Sequence, residues 1–253
     1  MDNATLRYIS EITNATTQEA LWSMHLAKMA EYGFTRLFYG YTNFRVENNL
    51  GDPEDFVILS NLDRSYLKRF VDDQMFKHGP VIKWALEHDG AESWERITQA
   101  ALDKSPCREG LEVIEFNQAS GVTCGYTVSF KSVSMRAKGA ISLIGAPGVP
   151  QSELDAIWGK HGHDLILMNN VLHLKLLNLP HVYPERALTK RQREVLEWVS
   201  DGKTLQDIAT LMGRTTATVE KHLRLARETL GVETTAQAVL KATFLNQIFS
   251  TDV

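Results

Sequence analysis

Residues Thr204 to Arg224 read TLQDIATLMGRTTATVEKHLR, and their spacing is that of two short helices joined by a tight turn. Ile208, Leu211 and Met212 form one apolar face, and Val219, Leu223 and Ala226 form another. Gly213 lies between them and supplies the left-handed conformation that ends the first helix. A threonine, Thr215 or Thr216, then caps the second by accepting an orphan backbone N–H. Ala209 is small where the two helices would cross. The pattern predicts a helix-turn-helix. Any helical hairpin gives similar spacing, so the flanking sequence decides.

The flanks are helical on both sides. Thr189 to Ser200 carries Val195, Leu196, Trp198 and Val199, with Gly202 as its stop. Thr234 or Thr235 caps a last helix whose apolar residues form two stripes, Ala238, Ala242, Leu245, Phe249 and Leu240, Phe244, Ile248. That surface is wider than a small domain needs inside, so it is either buried against the domain's own helices or exposed in part as a dimer contact. Residues 188–253 therefore make a four-helix, all-α domain. Asn178 to Ala187, NLPHVYPERA, has two prolines and no period and reads as the linker.

Residues 1–177 mix the two periods. Thr16 to Ala30 is an amphipathic helix, with Thr16 and Glu19 in a capping box and Gly33 as the stop. Arg36 to Phe44 and Val57 to Ser60 read as strands, separated by the turn at Gly51-Asp52-Pro53. Ser65 to Asp73, Pro80 to His88 and Ser105 to Ala119 read as helices. Gly121 to Phe130 and Gly139 to Ile144 read as paired strands, and Gln151 to Leu177 as a long helix. The fold class is α+β: an N-terminal α/β/α sandwich with an antiparallel sheet, then the helical domain.

Bulk properties exclude several classes. The 253 residues carry a net charge of −4. From Tyr183 onward ten Lys and Arg stand against nine Asp and Glu, a surplus of one, so the preceding part carries about −5. A weakly positive tail permits DNA binding, but few cations per copy mean few phosphate contacts, which favours a dimer. The opening MDNATLRYIS has no basic start and no long apolar run, so neither a signal peptide nor a membrane span is expected. Cys107 and Cys124 lack metal spacing and fit free thiols of a reducing cytoplasm. The eight histidines are scattered, and His161 and His163 point to different helix faces. No catalytic set, cofactor loop or metal site is expected.

In the second helix of the pair, Val219, Leu223 and Ala226 face inward, so Thr218, Glu220, Lys221 and Arg224 face outward. Arg224 suits bidentate contact with guanine, and Glu220 can accept from cytosine. Lys203, Arg214, Thr216, Thr218 and Arg227 suit phosphates. The competing account is a solvated Glu220–Arg224 pair at i, i+4. His222 falls between the two faces and reads as structural. In the N-terminal part, Tyr39, Tyr41, Tyr66, Phe70, Trp84 and Trp94 are either core or the lining of an apolar pocket.

The stretch LTKRQREVLEWVSDGKTLQDIATLMGRTTATVEKHL resembles the DNA-binding domain of LuxR/FixJ-type regulators over its whole length. Leu188-Thr189, Glu194, Leu196, Trp198, Gly202-Lys203, Ile208-Ala209, Thr218-Val219 and His222-Leu223 carry the likeness. The N-terminal part resembles the autoinducer-binding domain of the quorum-sensing branch through Pro80-Val81, Trp94 and Ser120-Gly121-Val122-Thr123. It does not resemble a phospho-receiver, which would place an acidic pair where this chain has Phe38 to Tyr41. The resemblance implies a transcription regulator that binds a two-fold operator as a homodimer and senses an acyl-homoserine lactone or a non-standard relative. It also implies pocket roles for Leu62, Tyr66, Phe70, Gly79 and Trp94, with Ser142 close to one more such position; Tyr39 and Tyr41 join the candidate set from the aromatic residues above.

Several of those positions depart from the family. Tyr66 stands for the lactone-contacting Trp and Gly79 for the amide-contacting Asp. Leu62 and Phe70 replace two tyrosines, and Gly145 a Ser/Thr near Ser142. An acyl-homoserine lactone has an amide N–H, and leaving it buried without a partner costs about 1–3 kcal/mol. Either another group accepts it, with His78, Asp72, Asp73 and Tyr66 the nearest in sequence, or the ligand has no amide. The alternatives for the whole chain are a ligand-independent DNA binder and a heterodimerising anti-regulator.

Overall fold

In the computed structural model, which describes residues 3–46, 50–105, 107–180 and 186–249, the aromatic run becomes strand β1, Phe34–Thr42. The chain divides into two units, Met1–Ala15 with Glu19–Leu177, and Thr16–Gln18 with Asn178–Val253. His181 to Glu185, within the expected linker, lie outside the described residues.

In the first unit, β1 pairs antiparallel with β2 (Val57–Ser60) and β5 (Lys138–Gly145). β4 (Gly125–Ser129) joins β5, and β3 (Gly90–Ser93) closes the order β2-β1-β5-β4-β3. Side chains alternate across a strand, so each strand serves two layers. Leu37 and Tyr39 of β1, Ile141 and Leu143 of β5, and Tyr126 and Val128 of β4 share one face by register. Helix α7 (Gln151–Leu176) covers it: Tyr126 stacks on Trp158 at 3.9 Å and donates to Asp155 at 2.7 Å. Helices α1 (Asn3–Thr13) and α2 (Gln18–Ala30) pack on α7 through a buried chain, Tyr8 to His25 at 2.5 Å and His25 to Asn169 at 3.0 Å. The opposite face carries Phe38, Ser142 and Thr127. Over it lie α3 (Arg64–Leu67), a π turn at Lys68–Asp72, α4 (Pro80–Glu87), α5 (Trp94–Asp103) and α6 (Arg108–Ala119).

The three-layer α+β expectation holds, with additions. Helices α1 and α5 and strand β3 were not expected. Their apolar signal is thin: α1 buries Thr5, Tyr8 and Ile12, α5 buries only Trp94 and Ile97, and β3 is four residues long. The helix expected from Ser105 starts at Arg108, because Ser105 sits at φ 53°, outside the helical region.

The second unit contains α8 (Lys190–Ser200), α9 (Leu205–Met212), α10 (Thr216–Leu230) and α11 (Thr235–Phe244). Thr189, Thr204 and Thr234 each close a capping box with the residue three positions on, Gln192, Asp207 and Gln237. Gly213 ends α9 at φ 61° and Thr215 caps α10, accepting from the Thr218 N–H at 3.3 Å. Val195, Leu196, Ile208, Val219, Leu223 and Ala226 form the core with Ala238 and Ala242. The last helix stops at Phe244 and does not reach Phe249. Asn246 turns left-handed at φ 50°, which lets Leu245 and Ile248 enter the core while Phe249 stays exposed.

Candidate functional site

The N-terminal unit encloses two adjoining cavities between the sheet and helices α4 to α6. The first, about 80 Å³, is apolar and is walled by Phe38, Phe56, Ile58, Val71, Phe76 and Ile82. The second, about 30 Å³, is lined by Leu62, Tyr66, Phe70, Gly79, Trp94 and Ser142, with Asn117 and Val113. Phe38, Ile82 and Ser142 belong to both walls, so the two cavities are neighbours.

The polar groups at this site are few and fixed. The Trp94 Nε1–H donates to Thr127 Oγ1 at 2.8 Å, and that hydroxyl lies 3.1 Å from Ser142 Oγ. Tyr66 donates its hydroxyl to Asn117 Oδ1 at 2.9 Å and stacks between Phe70 and Phe116 at 5.3 and 5.1 Å. Burial pushes the Tyr66 phenol well above its ordinary range, against the pull of nearby Arg36, so it stays a protonated donor.

Six of the eight residues expected at the pocket, Leu62, Tyr66, Phe70, Gly79, Trp94 and Ser142, thus come together at one cavity. Tyr39 and Tyr41 are displaced from that set by strand parity. Tyr39 is fully buried on the α7 face and bonds His173 Nδ1 at 2.8 Å. Tyr41 borders the apolar cavity at the strand end, but its ring lies edge-on to His173 at 5.5 Å and its hydroxyl donates to Asn43 at 2.5 Å. His173 is held neutral, with burial lowering its pKa to about 4. Of the four groups that could replace the missing carboxylate, only Tyr66 lines a cavity; Asp72, Asp73 and His78 line neither. Asp72, Asp73 and His78 are exposed, and neither wall contains an acidic residue. Asn117, Thr127 and Phe38 were missed. Phe38 and Thr127 follow from register once the strands pair, whereas Asn117 has no local signal.

Gly79 is not required by the backbone. Its φ is −65°, and an added Cβ would meet Phe76 O at 3.4 Å and Val113 Cγ1 at 3.5 Å, ordinary contacts.

The C-terminal unit presents the second surface. A shallow depression gathers Lys203, Glu220, Lys221, Arg224 and Arg227 with Leu205 and Thr235. Arg224 pairs with Glu228 at 2.6 Å, one turn further along and not with Glu220, and both side chains are more than half exposed. Arg227 is half-buried and donates to Thr235 at 3.0 Å. Arg214, Thr216 and Thr218 lie outside the depression at the start of α10; Thr216 and Thr218 are half-buried, and the Thr218 hydroxyl lies 3.0 Å from that of Thr215. His222 is half-buried. Among the described residues no cluster of His, Cys, Asp and Glu could hold a metal ion, and no helix is long and apolar enough to cross a membrane.

Comparison with known proteins assigns a family to each of the two units. The autoinducer binding domain matches residues 17–176, and the bacterial regulatory proteins of the luxR family match residues 186–242. The transcriptional activator LuxR of Aliivibrio fischeri is 23% identical over 245 residues, covering 94% of this chain and 92% of its own. The activator BjaR1 of Bradyrhizobium diazoefficiens is 37% identical over 78 residues, 31% of this chain and 32% of its own. Among solved structures, SdiA in complex with octanoyl-rac-glycerol superposes with a TM-score of 0.51 at 17% identity, covering 95% of this chain and 93% of that one. The N-acylhomoserine lactone dependent factor CepR2 of Burkholderia cenocepacia gives 0.53 at 17% identity, covering 68% and 96%. These structures confirm the α+β fold. The chain belongs to the LuxR family of bacterial transcription regulators, with an autoinducer-binding domain ahead of its helix-turn-helix output domain.

Proposed function

We propose that this regulator acts in the cytoplasm as a homodimer on a two-fold-symmetric DNA operator, under the control of a small acyl compound that has no amide N–H. The ligand lies between the sheet and α4 to α6. The observation that carries this is the lining of the two cavities: apolar side chains, one paired lysine, a few neutral polar groups, and no carboxylate to receive an amide. The octanoyl-rac-glycerol bound by SdiA is an acyl ester of that kind. Helix α10 is the element for the major groove, with Arg224 reading a base and Lys203, Arg214, Thr216, Thr218, Lys221 and Arg227 positioning it on phosphates. The homodimer is supported by the small positive surplus of the C-terminal unit and by Leu240 and Phe244, which α11 leaves 51% and 39% exposed. No catalytic role or cofactor is proposed.

The size of the cavities favours a second reading, a ligand-independent regulator whose side chains have filled the pocket. One experiment addresses both. Operator sequences are selected from random DNA with the full chain, then bound with and without a lipid extract of the host. Recovery of inverted repeats that bind more tightly or more weakly with extract supports the proposal. Inverted repeats indifferent to every extract support the second reading. Arg224→Ala lowers affinity for the selected site by about 1–3 kcal/mol, and unchanged affinity removes Arg224 from base readout.

A further inference from the structure

The polar cavity adjoins a third, open depression through Leu62 and Tyr66, which line both. Arg36, Asp63 and Arg69 stand on this outer wall, two cations against one carboxylate. Both guanidiniums have neutral partners. Arg36 donates from Nε to the Gly145 carbonyl at 3.1 Å and from Nη2 to that of Gly121 at 2.8 Å, which leaves Nη1 as a donor. Arg69 lies over the Phe116 ring at 5.2 Å. The Tyr66 hydroxyl occupies Asn117 Oδ1, so the amide hydrogens of Asn117 are donors as well. In the wall of the first cavity, Lys138 is already satisfied by Asp89 at 2.7 Å and by the carbonyls of His88 and Phe130. The first cavity is therefore apolar and ends at a paired lysine, the second carries a few neutral polar groups, and the outer wall carries two cations beside one carboxylate.

Building on the reading of this unit as an acyl-binding domain, we propose that its ligand carries a carboxylate head, as a free fatty acid does. The chain lies along Phe38, Phe56 and Phe76, and the head sits at the outer wall between Arg36, Arg69 and the Tyr66–Asn117 pair. A carboxylate is an acceptor-only group, and a guanidinium binds it through charge-assisted bonds in a planar fork. An amide N–H would find an acceptor on this wall in Asp63, but only a carboxylate meets the two guanidiniums with opposite charge.

The test is calorimetric titration of the full chain with octanoate, methyl octanoate and N-octanoyl-homoserine lactone, which share a chain and differ in the head. Octanoate is expected to bind at least about tenfold more tightly than its methyl ester, the difference a charge-assisted bond makes. Arg69→Gln, at an exposed position, is expected to reduce that preference to about threefold or less, with the melting temperature unchanged. Methyl octanoate or the lactone binding as tightly as octanoate overturns the carboxylate head and leaves the acyl-binding reading standing. A preference that survives in both Arg69→Gln and Arg36→Gln overturns the placement of the head. Failure of all three compounds to bind overturns the acyl-binding reading itself.

Discussion

The indole of Trp94 and the hydroxyl of Thr127 are joined by a 2.8 Å hydrogen bond in which Nε1–H donates, fixing the first residue of α5 to the middle of β4. Thr127 is 1% exposed and Trp94 7% exposed, so water does not replace either partner. Thr127→Val keeps the shape and removes the acceptor, leaving the indole N–H unpaired. The expected loss is about 1–3 kcal/mol of stability. Combining it with Trp94→Phe should cost less than the two losses summed, because the partners share one bond. Urea unfolding of the four proteins measures this, and strict additivity would show that the bond contributes nothing.

Gly213 tests the turn. Its φ is +61°, and nothing lies within 4 Å of where a Cβ would stand, so substitution there reports backbone strain alone. Gly213→Ala is expected to cost about 1–2 kcal/mol. Gly213→Asn should cost less, since asparagine enters the left-handed region more readily than alanine. A thermal midpoint for the alanine variant equal to that of the parent would contradict the turn geometry.

The difference between these two positions shows what the sequence reveals. Gly213 and its flanking threonines act locally: the cap, the left-handed stop and the inward triad Val219, Leu223 and Ala226 lie within a few residues of each other. The output domain was therefore legible almost to its helix ends. The cavity is assembled from six separate segments of the chain. Leu62, Tyr66, Phe70, Gly79 and Trp94 could be placed only through their family resemblance. Tyr39 was misplaced because strand parity is unknown until a partner fixes which face is covered. Phe38 and Tyr39 are adjacent aromatics, and register alone sends one to the cavity and the other to His173. Asn117 was illegible for a related reason: its role comes from a bond to Tyr66, 51 residues earlier.

Acidification should weaken the N-terminal unit through two buried histidines. Burial lowers the pKa of His25 to about 4, with the Asn169 bond opposing, and burial likewise lowers that of His173 to about 4, both from 6.5. A base with a depressed folded pKa takes up its proton in the unfolded chain first. Stability is therefore full above about pH 6.5 and falls as pH drops toward 4, by up to about 1.4 kcal/mol per pH unit for each histidine. His173→Gln keeps a polar partner for Tyr39 and cannot take a proton. Urea midpoints at pH 7 and pH 5 should fall further in the parent than in the variant, and equal falls would show that His173 is not held neutral.

Gly79 offers the reverse experiment, adding a contact where the others remove one. In this family an aspartate directly before the proline receives the ligand amide, and here that carboxylate is missing although its Cβ would meet only ordinary contacts. Gly79→Asp should fold, but with a buried charge that lacks a partner, costing roughly 1–3 kcal/mol or more in the free protein. An amide N–H supplies that partner. N-octanoyl-homoserine lactone should raise the melting temperature of Gly79→Asp more than that of the parent, since a ligand stabilises according to its affinity for the folded state. Octanoate should do the opposite, because the new charge would stand in the cavity that adjoins the wall holding the carboxylate head. Equal shifts in parent and variant with both compounds would mean that position 79 does not sense the bound ligand.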